Sequence, residues 1–252
     1  MKSILGRESV GLLSELAWSK VLLGFDFDGT LAPIVEDRDA AVMSARTSAL
    51  FARVAELYPC AVISGRSRPD VAKRLGRARV KYVIGNHGLE PGAGLGAFER
   101  QIAVARDALA ESLQSCAGVE IEDKRYSLAV HYRRARLKRE ARNAIAAAIA
   151  RLDVEMRTIA GKLVVNVVPA RAPNKADALL QLRAKEQADV ALYVGDDVTD
   201  EDVFELDQPG RLLSIRVGES KSSAAKYFLR NQREIDTMLE LLGTLRPVEH
   251  PR

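Results

Sequence analysis

The sequence predicts an α/β protein: a doubly wound, mainly parallel Rossmann-like core sheet carrying an inserted α+β cap. Three observations predict it. Apolar runs of strand length alternate with amphipathic helical stretches through the first 90 residues, the order that builds a parallel sheet covered on both faces. Residues 97–169 break that rhythm and read helix–strand–strand twice. The strand–helix rhythm then resumes at Asn174.

Residues 21–25, VLLGF, are apolar throughout, as a strand buried on both faces requires. Over 44–58, Leu50, Val54 and Leu57 share one helical face. CAVI at 60–63 is a second strand, Pro69 opens a helix ahead of Val71 to Leu75, and KYVI at 81–84 is a third strand. The Gly-rich stretch 91–98 reads as a linker. Inside the insert, a helix at 99–115 precedes strand-like runs at 119–124 and 127–133, which predict a hairpin. A second helix at 139–152 precedes runs at 153–159 and 162–168, with Gly161 between them. Pro169 and Pro173 close the insert. A helix at 174–187, strands at 191–194 and 212–217, a helix capped by Ser222 or Ser223, and an amphipathic helix at 233–242 complete the chain. The expected division is therefore a catalytic core over 1–96 and 170–252 and a cap over 97–169.

Composition narrows the function. The 252 residues carry a net charge of +4 and only 5% aromatic residues. The mild positive excess suits an anionic small molecule. Few aromatic platforms and no nucleic-acid motif argue against nucleic-acid binding. Cys60 and Cys116 form neither a CxxC pair nor a metal-spaced set, so buried free thiols are expected. The N-terminus lacks the apolar centre of a signal peptide, and no run approaches the roughly 20 apolar residues of a membrane span. The expectation is a cytoplasmic protein with no membrane partner. Trp18 is expected to pack inside, and the basic run from Arg133 to Arg139 to be a solvated face.

The chemistry concentrates where parallel strands end. Ligands of open α/β sheets bind beyond the carboxyl ends of the strands. Asp26 and Asp28 follow the first strand, in GFDFDGTL; Ser64, Gly65 and Arg66 follow the second; Asp196 and Asp197 follow a later one. Lys175 begins a helix aimed at the same rim. Two carboxylates this close repel unless a cation or a reaction uses both. A hard divalent cation, Mg²⁺, answers that, with Asp26, Asp28 and Asp196 as candidate ligands. Asp197 and Asp200 are expected to support the metal site from behind. With its charge offset, Asp26 is a candidate nucleophile toward phosphorus, and Asp28 a candidate acid and then base. Ser64 and the amides of Gly29 and Thr30 are candidates for holding phosphoryl oxygens, and Lys175 for neutralising them. A receiver-type signalling module shares paired aspartates and a lysine but has half this length, no cap and no counterpart of Asp28. A phosphomutase would return the phosphoryl group to a sugar.

DFDGT, Ser64, Lys175 and GDDVTDED stand in the order of the four motifs of the haloacid dehalogenase superfamily, which these residues resemble. The insert resembles its type II cap. FDFDGTLAPI, SGR, GNHGLE, HYR and GDDVTDED together resemble the trehalose-6-phosphate phosphatase family, from about Leu22 to Leu242. That resemblance implies Mg²⁺-dependent hydrolysis of a small-molecule sugar phosphate, and leaves room for a functional link to a sugar-phosphate synthase. It implies substrate-binding roles at the active site for Gly65, Arg66 and His87. On the cap it implies sugar or phosphate contacts from Glu122, Lys124, His131, Lys162 and Asn166. The chain departs from the family at three places: Asn166 where a glutamate is usual, Val168 where a basic residue is usual, and Ala176 where glycine follows the lysine. These departures keep a second substrate open, another glycosyl phosphate such as a glycosyl-3-phosphoglycerate.

Overall fold

The structure, a computed structural model, describes residues 1–252 except 36, 93, 162, 207–209 and 247–252. The first half of the core runs β1 (Lys2–Ser3), α1 (Arg7–Trp18), β2 (Val21–Phe25), α2 (Ala45–Leu57), β3 (Cys60–Ile63), α3 (Arg68–Arg74) and β4 (Tyr82–Ile84). The insert contributes α4 (Leu95–Leu113), β5 (Glu120–Asp123), β6 (Leu128–His131), α5 (Lys138–Ile149), β7 (Met156–Gly161) and β8 (Val164–Pro169). The core resumes with α6 (Lys175–Lys185), β9 (Val190–Gly195), α7 (Glu201–Phe204), β10 (Leu212–Val217), β11 (Tyr227–Leu229) and α8 (Glu234–Leu245).

Seven strands form one sheet in the order β1-β11-β10-β9-β2-β3-β4, with every pairing parallel. The apolar character of β2 has its reason in the pleat. Val21, Leu23 and Phe25 enter one core layer with residues of α1, α2 and α8. Leu22 enters the opposite layer with Leu179 and Leu182 of α6. Gly24 lies on that second side, where a Cβ would stand 2.8 Å from the Tyr193 ring and 3.0 Å from Leu179. Period two on a sheet covered twice leaves no polar position in the strand.

The chain divides into two compact units, Met1–Glu90 with Pro173–Arg252, and Pro91–Ala172. A boundary at 96/97 would cut α4: the helix begins within the Gly-rich stretch, directly after a left-handed Gly94. The second unit is an antiparallel sheet, β5-β6-β8-β7. Leu128, Val130 and Val167 point to one face and share a core with Ile102 and Leu109 of α4 and Ile145 of α5. By alternation, Glu122, Ala129, His131 and Asn166 belong to the other face; the register pairs Glu122 with Ala129 and Ala129 with Asn166.

Four expectations need correcting. The helix after Ser222 and Ser223 is instead β11, because residues 227–229 fill the slot between β10 and β1. Pairing partners on both sides override local propensity there. Gly161 lies within β7, paired with Val164, so the turn falls after it. Trp18 is 71% exposed: Leu13, Leu16 and Ala17 cover the inner face of α1, and the next position turns outward. Cys60 is buried, whereas Cys116 is half-buried, and both are free. Among the described residues no helix is long and apolar enough to cross a membrane.

Candidate active site

The carboxyl edge of the core sheet gathers the acidic residues that the strands deliver. Asp26 directly follows β2, and its amide extends the ladder by donating to Val194 O at 2.8 Å. Its carboxylate is buried. Lys175 is the first residue of α6, whose start is fixed by a capping box between Asn174 and Asp177. The Lys175 side chain is buried too, with Nζ 2.8 Å from Asp200 Oδ1 and 3.2 Å from Asp26 Oδ1.

Asp200 is the anchor of this cluster. Its Oδ1 accepts from Lys175 Nζ at 2.8 Å and from the Tyr193 hydroxyl at 2.7 Å. Its Oδ2 accepts from the amides of Asp196 and Asp197, both at 2.9 Å. Four donors on one buried carboxylate fix the turn after β9 and so aim Asp196. Gly195 is required by that closeness: a Cβ there would lie 2.2 Å from the Asp200 carboxyl carbon. Asp197 caps the next turn by accepting from Val198 N at 2.7 Å.

Asp26, Asp196 and Asp200 each bring a carboxylate oxygen within 4.8 Å of the others. Asp196 Oδ1 is buried and has no hydrogen-bond partner among the described residues. An all-oxygen donor set with one orphaned buried oxygen fits a hard divalent cation. Because both Asp200 oxygens are already engaged, Asp26 and Asp196 are the carboxylates that could hold the ion, and Asp200 fixes the turn that carries Asp196. Asp28 is not in this cluster.

The electrostatics agree. Burial pushes Asp26 well above the ordinary carboxylate range; Lys175 lowers it, but Asp200, Asp196 and Asp28 add to the rise. Burial and then the charge of Asp200 raise Asp196 to about 7. Burial alone would lower Lys175, but Asp200 and Asp26 outweigh it and hold the ammonium firmly charged.

Asp28 follows Asp26 in the loop, with its side chain 37% exposed. Both its oxygens accept from Arg66, Nε and Nη2 each at 2.7 Å. Arg66 was expected at the substrate, yet its side chain is only 1% exposed and spends three N–H groups on Asp28 and Asp70. Ser64 is buried, and its Oγ accepts from Arg66 N at 3.1 Å. The Gly29 amide donates to Ala32 O at 2.8 Å, so it closes the loop on itself. A Gly29 Cβ would lie 2.0 Å from Asp196 Oδ2, and its φ is +79°, so only glycine fits. Thr30 Oγ1 is buried with no partner among the described residues. His87 is buried in a left-handed conformation, φ 58°, and its ring lies where a Gly65 side chain would be, 2.4 Å from that Cβ position.

Within the insert, His131 Nε2 lies 2.9 Å from Glu122 Oε2, and Lys124 Nζ lies 3.5 Å from Asn166 Oδ1. The strand register puts Glu122, His131 and Asn166 on one face of the sheet, and Lys124 reaches Asn166 from just beyond β5. Lys162 lies outside the described residues.

A family model described as trehalose-phosphatase matches residues 24–233. The chain belongs to the trehalose-phosphatase family. A trehalose-phosphate phosphatase of Mycobacterium avium (strain 104) is 35% identical over 207 residues, covering 77% of this chain and 53% of the relative. One of Mycobacterium tuberculosis (strain ATCC 25618 / H37Rv) is 34% identical over 216 residues, covering 80% and 55%. The chain thus spans about half the length of these curated relatives. The C-terminal domain of a Candida albicans trehalose-6-phosphate phosphatase shares the fold, with a TM-score of 0.80 at 24% identity over 98% of this chain and all, 100%, of that one. An Aspergillus fumigatus trehalose-6-phosphate phosphatase has a TM-score of 0.66 at 25% identity, covering 97% and 99%.

In this chain of the trehalose-phosphatase family, three residues that sequence reasoning passed over join the candidate site. Tyr193 donates to Asp200, but a tyrosine in an apolar strand reads as packing. Gln232 Nε2 donates to the carbonyls of Thr30 and Leu31 at 3.1 and 3.3 Å, a partnership no local pattern announces. Asp70 stands four residues after Arg66, and that i,i+4 spacing of opposite charges was a legible signal.

Proposed function

We propose that the chain hydrolyses trehalose 6-phosphate to trehalose and phosphate through an aspartyl-phosphate on Asp26, with Mg²⁺ bound by Asp26 and Asp196. The observation that carries the reading is the buried Lys175–Asp26 contact beside the unpartnered Asp196 oxygen. When bound, the cation supplies positive charge against the phosphoryl oxygens and offsets the repulsion that raises Asp26. An Asp26 oxygen attacks phosphorus; the bond from phosphorus to the sugar oxygen breaks, and that oxygen takes a proton from Asp28. Water then attacks the same phosphorus and gives a proton to the Asp28 carboxylate. The Asp26–phosphorus bond breaks, and phosphate leaves. Lys175 holds Asp26 in place and keeps a fixed positive charge beside it. Glu122, Lys124, His131, Asn166 and Lys162 are assigned to the sugar hydroxyls, which need fixed donors and acceptors.

The family match and the names of the relatives favour trehalose 6-phosphate over a glycosyl-3-phosphoglycerate. The test is phosphate release across a panel of sugar phosphates, with added Mg²⁺ and with chelator. The expected result is metal-dependent release with trehalose 6-phosphate as the preferred substrate. Release unaffected by chelator, or by Asp26→Asn, would sink the mechanism; preference for another glycosyl phosphate would sink the substrate.

A further inference from the structure

Arg66 stands between two acids. One edge of its guanidinium, Nε and Nη2, donates to both Asp28 oxygens at 2.7 Å. The remaining nitrogen, Nη1, donates to Asp70 Oδ2 at 2.8 Å. Asp70 lies in the first turn of α3, and Arg74, one turn on, donates Nε to its other oxygen at 2.9 Å. Arg74 is tied down in turn by the carbonyls of Asp39 and Ala41, at 2.9 and 2.7 Å. Four charges of alternating sign therefore run from the catalytic loop to α3.

A guanidinium is a rigid planar fork. Fixing one of its edges fixes the direction of the other. Asp28 sits in a loop with a third of its side chain exposed, and the Arg66 fork is the side-chain hydrogen bonding that the described residues give it. The Arg66 side chain is buried over the Phe27 ring, 5.9 Å from its centroid, so a partner on its far edge sets its rotation. We propose that Asp70 is a positioning residue for the proton-transferring carboxylate Asp28, acting through the Arg66 guanidinium that both acids share. The proposal rests on the phosphatase reading above and adds to it a residue outside the catalytic loops.

In the first half-reaction, the phosphorus–oxygen bond to the leaving group breaks as Asp28 gives that oxygen its proton. A sugar alkoxide needs the proton; p-nitrophenolate leaves without it. Misaiming Asp28 must therefore slow the two leaving groups unequally, which a general loss of structure would not do. Single-turnover release of the leaving group isolates this step from the hydrolysis that follows. The wild-type chain is measured first on both trehalose 6-phosphate and p-nitrophenyl phosphate. A wild type inactive on both would overturn the phosphatase reading itself, before any variant is read.

With that reading intact, Asp70→Asn should slow trehalose release by about tenfold or more, given the share of rate that a placed acid supplies. Release of p-nitrophenolate should stay within about twofold, and the half-saturating sugar-phosphate concentration should not move. Equal losses on the two substrates, or no loss on the sugar phosphate, overturn the proposal. If Asp70→Asn does not fold by circular dichroism, Arg74→Met frees the same carboxylate from its other side. It should then show the same inequality, to a smaller extent, and equal losses there overturn the proposal as well.

Discussion

At Asp196 the fold sets an ordinary carboxylate against its own environment. Burial, and then the charge of Asp200, push its pKa up to about 7, far above the ordinary carboxylate range, so between about pH 4 and that value the folded protein holds a proton there that the unfolded chain has lost. Stability from this group is present at pH below about 4 and falls as pH rises toward about 7. A divalent cation competes with that proton. Saturating Mg²⁺ should therefore raise the melting temperature more at pH 8 than at pH 5.5, measured by scanning fluorimetry; an equal gain at both would refute the assignment. Tyr193 makes a second prediction. Its hydroxyl is buried and donates to Asp200 at 2.7 Å. Tyr193→Phe should cost about 1.5–3 kcal/mol of stability, the range for a hydrogen bond to a charged group, read from urea denaturation. It should also lower kcat more than it changes KM, because Asp200 aims both Lys175 and the Asp196 backbone. At this scale the sequence was informative wherever an acid followed an apolar strand. It was silent on the partners of Arg66, whose side chain the family resemblance aimed at substrate and the fold turns onto Asp28 and Asp70. The direction of a long side chain depends on which acids fold next to it, and Asp28 lies 38 positions away in the chain.

Among the elements, α6 does the most positioning. Asn174 caps it by accepting from Asp177 N at 2.9 Å, while Asp177 Oδ2 accepts from Asn174 N at 3.0 Å. Lys175 follows immediately, so the cap fixes where the ammonium begins its reach. Asn174→Ala should cost about 1 kcal/mol in denaturant unfolding. It should also lower phosphate release several-fold at saturating substrate; loss of stability without loss of rate would separate the cap from the site. Elements with strong periodicity were legible: β2, β3, α2 and β10 stand where apolar runs placed them. Of the shortest strands, β4 was legible in its apolar run at 81–84, whereas β1 and β11 were not. β1 and β11 are too short to carry a pattern; β11 is a strand because it pairs with β10 on one side and β1 on the other, and β1 because it pairs with β11 at the sheet edge.

The whole molecule holds two separate sets of packed residues. The sheet β1-β11-β10-β9-β2-β3-β4 has its own cores, and the unit Pro91–Ala172 has another around Ile102, Leu109 and Ile145. Ile145→Ala leaves a cavity worth about 2–5 kcal/mol in the second unit alone. Hydrogen exchange should show faster opening of amides within Pro91–Ala172 and unchanged protection in β2; uniform acceleration across both would show that the units unfold as one. The sequence by itself determined the fold class, the interrupted core and the acids at the sheet edge. Each of these follows from local periodicity and from where apolar runs stop. Only the tertiary structure decided that Asp200 is a fourfold acceptor, that Arg66 clamps Asp28, and that Tyr193, Gln232 and Asp70 belong with them. Those roles are hydrogen bonds: the long-range ones join segments distant in the chain, Arg66 to Asp28, Lys175 to Asp200 and Gln232 to Thr30, while Asp70 and Tyr193 act across four and seven residues. Their donors and acceptors are chosen by the packing of whole elements, which no stretch of sequence contains.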